Sequence, residues 1–260
     1  MMKRNRVKEK LMTGQTALGV SIMIPSPQIV EMVGKLGFDW VLIDREHGSI
    51  SRENMELMIM AAESCGVAPI VRPPSSRPEA ILEVLDSGAM GVQVPHVSTA
   101  QAAREVVQAA RYHPVGCRGL AVGTRAASYG YGLAMERHVQ EANEQILVCI
   151  QLEDTEALSN LDEIAKVDGI DVLFIGPSDL SQAMGYPGEK DHPKVQQAIE
   201  RAVKATVAVG RIAGTAGKAT DLLKPSNRGV QYFYTHLTSL LESASRDFLA
   251  SAERKGQEPK

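Results

Sequence analysis

Short runs of apolar and β-branched residues alternate along the chain with longer segments of helical periodicity. This alternation is typical of repeated βα units around a parallel sheet. The pattern predicts eight strands, at residues 16–23, 40–44, 69–72, 91–95, 146–153, 172–176, 211–215 and 229–234. Helices are predicted between them at residues 27–36, 52–64, 78–86, 99–112, 155–166 and 193–209, with a short helix from about residue 178 and a terminal helix at 237–254.

Eight strands with interleaved helices favour a closed (β/α)8 barrel, the TIM barrel of the α/β class, over an open doubly wound sheet. No G-x-G-x-x-G sequence follows the first strand, which argues against a dinucleotide-binding fold. The chain of 260 residues suits a barrel of about 250 residues, so we predict a single domain over residues 1–260 with a polar tail from about residue 255.

The segment of residues 113–132 interrupts the βα rhythm. It is rich in Gly, Arg and Tyr, and it is too long for an ordinary βα connection. Long ordered loops serve both to cover sites and to contact other subunits, and the sequence leaves these two roles open.

Composition narrows the class of protein. The chain is 44% hydrophobic and 23% charged with a formal net charge of −3, and its basic residues are scattered, so no nucleic-acid partner is expected. The three cysteines show neither metal-binding spacing nor a disulfide framework. No apolar run approaches the roughly 18 residues of a membrane span, and no apolar segment follows the basic N-terminus. We therefore expect a cytoplasmic protein with no membrane partner.

Polar residues follow several of the predicted strands at their carboxyl ends, where the chemistry of (β/α)8 barrels lies. They comprise acidic, basic, imidazole and amide side chains that converge on one rim: Asp44, Glu46 and His47 at the end of the second strand, Arg72 at the end of the third, His96 at the end of the fourth, Gln151 and Glu153 at the end of the fifth, and Ser178 and Asp179 at the end of the sixth. This convergence predicts an active site.

Glu153 and Asp179 close neighbouring predicted strands, so their carboxylates are expected to approach one point above the barrel. Hard cations such as Mg²⁺ or Mn²⁺ prefer oxygen ligands and often take one or two carboxylates with water and substrate oxygens. The alternative is that each carboxylate caps the helix that follows it. The coincidence of two acidic residues on one rim favours a divalent-metal site.

His47 and Arg72 add a base and a guanidinium to the same rim. Imidazole is the commonest general base, and a carboxylate from Asp44, Glu46 or Asp86 would orient it. Arg72, which precedes two prolines, would stabilise negative charge on an enolate oxygen. The alternatives are a histidine that is hydrogen-bonded in a loop and an arginine in a structural ion pair.

At these residues the chain resembles the HpcH/HpaI aldolase family, the class II pyruvate aldolases of the phosphoenolpyruvate/pyruvate barrel superfamily. The resemblance runs from about residue 11 to residue 241, and its most specific motifs surround His47 and Asp179. The matching segments are Gly37-Phe38-Asp39-Trp40, Ile43-Asp44-Arg45-Glu46-His47-Gly48, Val71-Arg72-Pro73, Gly116-Cys117-Arg118-Gly119, Gln151-Leu152-Glu153 and Phe174-Ile175-Gly176-Pro177-Ser178-Asp179-Leu180-Ser181.

The resemblance implies a lyase that depends on a divalent metal, Mg²⁺, Mn²⁺ or Co²⁺. It would reversibly cleave 4-hydroxy-2-oxo acids to an aldehyde and pyruvate or a related 2-oxo acid. Glu153 and Asp179 would bind the metal. Gln151, with the backbone at Ser178 and Asp179, would hold the pyruvyl substrate, an expectation that suits the free N–H groups at a helix start.

The resemblance also implies roles in catalysis and assembly. Arg72 would stabilise the enolate oxygen. His47 would accept the proton through water that the metal organises, and Asp86 would raise the basicity of His47. The chain would assemble as a homo-hexamer in which terminal helices are exchanged between neighbours, and the apolar stripe on residues 237–248 suits such packing.

The last strand departs from the usual pattern of the family. Members commonly end it with a small residue and then an acidic one, whereas residues 232–238 read Tyr-Phe-Tyr-Thr-His-Leu-Thr. We expect an altered acceptor pocket, with His236 as a wall or structural residue. A citrate-synthase-like or decarboxylating enzyme with the same enolate is an alternative. A barrel that binds a metal and dicarboxylate without turnover is disfavoured, because a binder needs no base such as His47.

Overall fold

The computed structural model describes residues 4–132 and 134–255, with the backbone alone for residues 253–255. Eight parallel strands form a closed barrel in the order of the chain, which confirms the predicted (β/α)8 fold. The strands are β1 (Ala17–Ile22), β2 (Trp40–Asp44), β3 (Ala68–Arg72), β4 (Gly91–Val94), β5 (Leu147–Leu152), β6 (Val172–Ile175), β7 (Ile212–Ala216) and β8 (Val230–His236).

One helix precedes β1, one follows β8, and the others lie between successive strands. The helices are α1 (Arg6–Met12), α2 (Pro27–Lys35), α3 (Arg52–Cys65), α4 (Pro78–Asp86), α5 (Ala100–Ala110), α6 (Met135–Gln145), α7 (Thr155–Ser159), α8 (Leu161–Ala165), α9 (Pro177–Ala183), α10 (Pro193–Ala208) and α11 (Leu237–Lys255). Short 3-10 turns lie at Ser128–Gly130, Ala219–Leu223 and Pro225–Asn227. Within the described part of the chain, no helix combines the length and the apolar character that a membrane crossing requires.

Two helices, α1 and α6, were not predicted, and the single helix expected at residues 155–166 is divided at Asn160 into α7 and α8. Asn5 accounts for α1: its side chain accepts a hydrogen bond from the backbone N–H of Lys8 (3.2 Å) and donates one to the carbonyl of Met90 (2.9 Å). Val7 and Leu11 of α1 are buried in the same apolar cluster as the barrel interior. The basic N-terminal segment therefore contains a helix that packs against the barrel.

The barrel interior is filled unevenly, with large side chains on β8 and small ones on both neighbouring strands. Tyr232 and Tyr234 of β8 point inward and are buried. Their partners in the strand registers are all small: Ala17 and Gly19 on β1, and Gly214 and Ala216 on β7. The aromatic residues of the last strand thus occupy the volume that β1 and β7 leave free.

Aromatic rings from β2 and β6 complete this interior. Trp40 stacks on Tyr232 with 4.1 Å between ring centroids, and Phe174 stacks on Tyr234 at 5.2 Å. A Cβ atom added at Gly19 would lie 2.3 Å from the Trp40 ring. Glycine at position 19 is therefore required by the close approach of the indole ring.

The segment of residues 113–132 is irregular apart from the turn at Ser128–Gly130. Arg118 pairs with Asp86 at the end of α4 (2.7 Å), and Arg125 pairs with Glu63 near the end of α3 (2.5 Å). Because α3 and α4 return the chain to the starts of β3 and β4, these contacts lie at the amino-terminal end of the barrel. The segment therefore does not cover the rim of its own barrel, and a subunit contact stays a prediction.

Candidate active site

A buried ion pair between β2 and β3 lies at the base of the site. Asp44 is fully buried and Arg72 is 5% exposed. The Nε and Nη2 atoms of Arg72 donate to the two carboxylate oxygens of Asp44 at 2.9 and 2.5 Å. Burial alone would raise the pKa of Asp44, but its hydrogen bonds and charge interaction with Arg72 outweigh this effect and lower it. The structural ion pair considered for Arg72 is thus formed, and it leaves Nη1 for other contacts.

The Nη1 atom of Arg72 joins a chain of buried amides. It lies 3.3 Å from Oε1 of Gln151, which also accepts from Nε2 of Gln93 at 2.7 Å. The Gln151 amide then donates to Oε2 of Glu153 at 2.5 Å. The Tyr232 hydroxyl donates to Gln93 from below, at 3.2 Å. These contacts hold Gln151 and Glu153 in one orientation, so the site is preorganised before any substrate binds.

Glu46 links the two imidazoles at the rim. Its Oε1 lies 3.0 Å from Nε2 of His96, and its Oε2 lies 3.1 Å from Nη1 of Arg72 and 3.7 Å from Nε2 of His47. Of the three carboxylates suggested as partners of the His47 imidazole, that of Glu46 is the one that lies beside the ring. Both imidazoles are accessible, with side chains 53% and 66% exposed for His47 and His96.

His96 is a member of the site to which the sequence assigned no role. It adopts a left-handed backbone conformation with φ of 56°, which is uncommon for a residue other than glycine. Its backbone N–H donates to Oε1 of Glu153 at 2.7 Å, and its Nδ1 lies 2.9 Å from the same oxygen. The only signal in the sequence was its position directly after β4.

Glu153 and Asp179 meet the rim from β5 and from the first turn of α9. Burial raises the pKa of the Glu153 carboxyl, and the negative charge of Asp179 acts in the same direction. A Cβ atom added at Gly176 would lie 3.2 Å from Oε2 of Glu153, so this glycine lets α9 approach closely. The capping alternative fails for Glu153, because the adjacent Asp154 caps α7 instead.

The fit to a divalent cation rests on this donor set. Glu153 and Asp179 supply carboxylate oxygens, and hard cations complete such a pair with water and substrate oxygens. Asp179 makes no hydrogen bond or ion pair within residues 4–132 and 134–255, so its oxygens are available. Over the same residues, no group of three or more His, Cys, Asp or Glu side chains is placed to hold a metal alone. The residues therefore suit a cation that also needs ligands from the substrate or water.

Of the two remaining predicted site residues, Ser178 lies at the rim and Asp86 lies at the other end of the barrel. Ser178 occupies the second position of α9, next to Asp179, and is exposed at the rim. Asp86 lies at the end of α4 and pairs with Arg118 at the amino-terminal end of the barrel. Within this chain Asp86 is therefore far from His47, and the expected contact between them is not formed.

A cavity of about 440 Å³ lies away from this rim, between α3, α4 and α6. Its lining includes Arg118, Arg125 and His138. It shares no residue with the cluster around Arg72 and Glu153. The Arg72 guanidinium and the Glu153 carboxylate lie at the rim and do not line this cavity, so we place the active site at the rim.

Comparisons with known proteins identify relatives of this chain by sequence and by structure. A 2-keto-3-deoxy-L-rhamnonate aldolase from Klebsiella pneumoniae is 41% identical over 211 residues, which are 81% of this chain and 78% of that protein. The structure of citrate synthase SbnG superposes with a TM-score of 0.85 at 31% identity, over 96% of this chain and 98% of that one. An HpcH/HpaI aldolase/citrate lyase family protein from Burkholderia cenocepacia gives a TM-score of 0.89 at 28% identity, over 96% and 99%.

A family profile also matches most of the chain. Residues 20–235 fit the profile of HpcH/HpaI aldolase/citrate lyase, and they include every residue of the rim cluster from Asp44 to Asp179. The predicted enzyme class, a lyase, agrees with this profile and with the names of the relatives. The chain belongs to the HpcH/HpaI aldolase/citrate lyase family.

Proposed function

We propose that this enzyme is a class II pyruvate aldolase that cleaves 2-keto-3-deoxy sugar acids reversibly to pyruvate and a short hydroxyaldehyde. The observation that carries the proposal is the convergence of Arg72, Glu153, Asp179 and His47 on one rim of the barrel. The relative that acts on 2-keto-3-deoxy-L-rhamnonate suggests the substrate class. Cleavage of that compound between C3 and C4 would give pyruvate and lactaldehyde.

Gln151 and Arg72 hold the 2-oxo acid. The amide of Gln151 is fixed by Gln93 and Glu153, so it offers a rigid contact to the pyruvyl group. Nη1 of Arg72 points to the same place and stabilises the negative charge that develops on the keto oxygen when C3 loses a proton. Ser178, at the start of α9, contributes its backbone N–H to the substrate carboxylate.

Glu153 and Asp179 hold the divalent cation on which enzymes of this class generally depend, and we propose Mg²⁺, Mn²⁺ or Co²⁺. When bound, such a cation supplies Lewis-acid polarisation of a carbonyl group. The protein contributes the orientation of its ligands: His96 and Gln151 fix the Glu153 carboxylate through hydrogen bonds.

His47 exchanges the proton. Its imidazole is half exposed at the rim, where it reaches water and substrate, and the Glu46 carboxylate lies 3.7 Å away. A carboxylate next to an imidazole orients the ring. In the cleavage direction His47 takes the proton of the C4 hydroxyl as the C3–C4 bond breaks and then gives it to C3 of the enolate. In the reverse direction it removes a proton from C3 and gives it to the new alkoxide.

Release of pyruvate from a synthetic 2-keto-3-deoxy acid tests the proposal. The assay couples pyruvate to lactate dehydrogenase and compares Mg²⁺, Mn²⁺ and Co²⁺ with EDTA. We expect cation-dependent release of pyruvate and loss of more than about 100-fold in kcat for Arg72→Lys, because lysine cannot keep both the Asp44 and the Gln151 contacts. No pyruvate release with any of several 4-hydroxy-2-oxo acids would contradict the proposal.

A citrate-synthase-like reaction is the second candidate. The favouring observation is the 31% identity to citrate synthase SbnG over nearly all of this chain. Such an enzyme would use the same rim but join its enolate to oxaloacetate. Formation of citrate from oxaloacetate and acetyl-coenzyme A, without aldol cleavage of 2-keto-3-deoxy acids, would favour this candidate.

We also propose that several copies assemble through α11, as a hexamer. Leu241, Phe248 and Leu249 of this terminal helix are 66%, 75% and 60% exposed in one chain. Apolar side chains arranged along one long helix are usually covered in the functional assembly.

A further inference from the structure

β1 and β8 form a neutral polar wall on the side of the rim that the catalytic groups leave open. The groups assigned to the 2-oxo acid come from β3, β5 and the start of α9 after β6. In the closed barrel, β8 and β1 lie between β7 and β2, across the opening from β5. A 2-oxo acid held by Arg72, Gln151 and Ser178 therefore leaves its reacting carbon facing a space bounded by β1 and β8.

Three polar side chains of this wall are brought together by strand register. His236 and Ser21 are register partners on β8 and β1, and Tyr234 lies one layer below His236 on the same strand. The rings of Tyr234 and His236 meet edge to face, with 5.4 Å between centroids. Neither strand contains a Lys, Arg, Asp or Glu residue, so the wall itself carries no charge at neutral pH.

The hydroxyl of Ser21 is buried and lacks a partner. Ser21 is 2% exposed, and its Oγ makes no hydrogen bond within the described part of the chain. Such an unpaired buried group in a native protein calls for an explanation, and an absent ligand or water is among the usual ones. Ser21 is the register partner of His236, so a ligand bound at His236 also lies next to Ser21.

His236 offers a hydrogen bond but no positive charge. Burial lowers the pKa of its imidazole, and the positive charge of Arg72 lowers it further, while Asp44 opposes the shift and Lys190 adds to it. Lys190 itself pairs with Asp221 at 3.5 Å. A neutral imidazole in this place suits a hydroxyl group better than a carboxylate.

We propose that His236, with Ser21 beside it and Tyr234 beneath it, binds the aldehyde and selects uncharged hydroxyaldehydes over aldehydes that lack a hydroxyl group or carry a carboxylate. The inference rests on the proposed aldolase function and names the residues that determine its acceptor. His236 is the last residue of β8, and Tyr234 supports its ring from below through their edge-to-face contact.

Condensation of pyruvate with matched aldehydes tests the inference. Lactaldehyde and propanal differ by one hydroxyl group, and succinic semialdehyde supplies a carboxylate. The readout is the ratio of kcat/KM for lactaldehyde to that for propanal, which cancels general losses of activity. One hydrogen bond to a neutral group is worth a factor of about 2 to 10, so we expect a wild-type ratio near the upper end of that range.

Four variants separate hydrogen bonding from shape. We expect His236→Leu to bring the ratio close to about 1 and His236→Gln, which keeps a hydrogen-bonding group, to retain most of it. Ser21→Ala, a nearly isosteric change, lowers the ratio in the same direction. Thr235→Val is the control, because Thr235 precedes His236 and points to the other face of β8.

The outcomes distinguish this inference from the proposed function. An unchanged ratio in both His236→Leu and Ser21→Ala, or an equal loss in His236→Leu and His236→Gln, would overturn the inference. A wild-type preference for succinic semialdehyde would also overturn it. Absence of condensation with every aldehyde would instead contradict the aldolase function.

Discussion

The Asp44–Arg72 pair shows how one buried charge depends on its partner. Asp44 has no exposure to solvent, and it accepts hydrogen bonds from Arg72 and from the backbone N–H groups of Glu46 and His47. Removal of one partner from a buried ion pair leaves the other charge uncompensated, which is costly. The pair therefore supports both the stability of the barrel and the orientation of Arg72 in the site.

Asp44→Asn tests this dependence. We expect a loss of about 3 kcal/mol in the free energy of unfolding at pH 7, measured by urea denaturation, because Arg72 loses its buried counter-ion. Asp168→Asn is the control, since the Asp168 side chain is fully exposed and its pair with Arg211 spans 3.4 Å. An equal loss of unfolding free energy in the two variants would contradict the role of Asp44 as the buried counter-ion of Arg72.

The same pair predicts a pH dependence. The pKa of Asp44 is lower in the folded protein than its ordinary value of 3.8, because Arg72 and the backbone N–H groups outweigh the effect of burial. Its contribution to stability is therefore complete above about pH 4 and is lost as the pH falls through the lower native pKa. The difference in unfolding free energy between the wild type and Asp44→Asn should be constant from pH 7 to 5 and shrink below pH 4. A difference that grew below pH 4 would contradict a lowered pKa of Asp44.

Stabilisation by Mn²⁺ tests whether Glu153 is a ligand of the divalent cation. We expect Mn²⁺ at about 100 times its Kd to stabilise the wild type by about 2.7 kcal/mol, seen as a rise of several degrees in Tm. Glu153→Gln keeps the size of the side chain but removes its charge, so the rise should be lost. Glu156→Gln, an exposed carboxylate on α7, should retain it. Equal rises in all three proteins would exclude Glu153 as a ligand.

At the scale of elements, β8 is adapted to its two neighbours. Its inward aromatic residues fit because β1 and β7 present small side chains opposite them. The packing of Trp40 against Gly19 belongs to the same arrangement, since the indole ring fills the place of a side chain on β1.

Gly19→Ala tests this packing. A Cβ atom 2.3 Å from the Trp40 ring forces the ring to move, and overpacking of a core typically costs about 1–3 kcal/mol. Gly123→Ala is the matched control, because no atom lies within 4 Å of its added Cβ. The free energy of unfolding in guanidinium chloride should fall for Gly19→Ala and not for Gly123→Ala. A Gly19→Ala variant as stable as the wild type would contradict the described packing of the interior.

The elements also show what could be predicted from the sequence. The eight strands follow from apolar periodicity, and five site residues follow from their positions at the carboxyl ends of those strands or just beyond: His47, Arg72, Gln151, Glu153 and Asp179. The roles of Gln93 and His96 could not be predicted, because each depends on partners from other strands: Gln93 contacts Gln151, and His96 joins Glu46 to Glu153. Helix α1 was missed because its stability depends on long-range contacts made by Asn5.

At the scale of the whole molecule, α11 and residues 113–132 present apolar side chains at the surface. Val115, Leu120 and Val122 of that segment are each more than half exposed. Large exposed apolar areas commonly mark interfaces between protein chains. A single chain therefore leaves surfaces that assembly would cover.

Substitution of α11 tests the proposed assembly. We expect the double variant Leu241→Glu, Phe248→Glu to elute as a smaller species than the wild type, because charge in an apolar interface opposes association. Size-exclusion chromatography with light scattering measures the mass. Ser243→Glu adds charge at an exposed polar position of the same helix and should preserve the wild-type mass. A wild type that is monomeric, or a double variant of unchanged mass, would contradict the role of α11.

Exchange of the pyruvate methyl protons with deuterated water tests the central claim most directly, because it reports enolisation without any aldehyde. Proton NMR should show loss of the methyl signal when the enzyme and Mg²⁺, Mn²⁺ or Co²⁺ are present, and no loss after EDTA or with Glu153→Ala. Absence of exchange with every cation, or exchange that EDTA and Glu153→Ala leave unchanged, would contradict a site in which Glu153 and Asp179 hold the cation that assists enolisation.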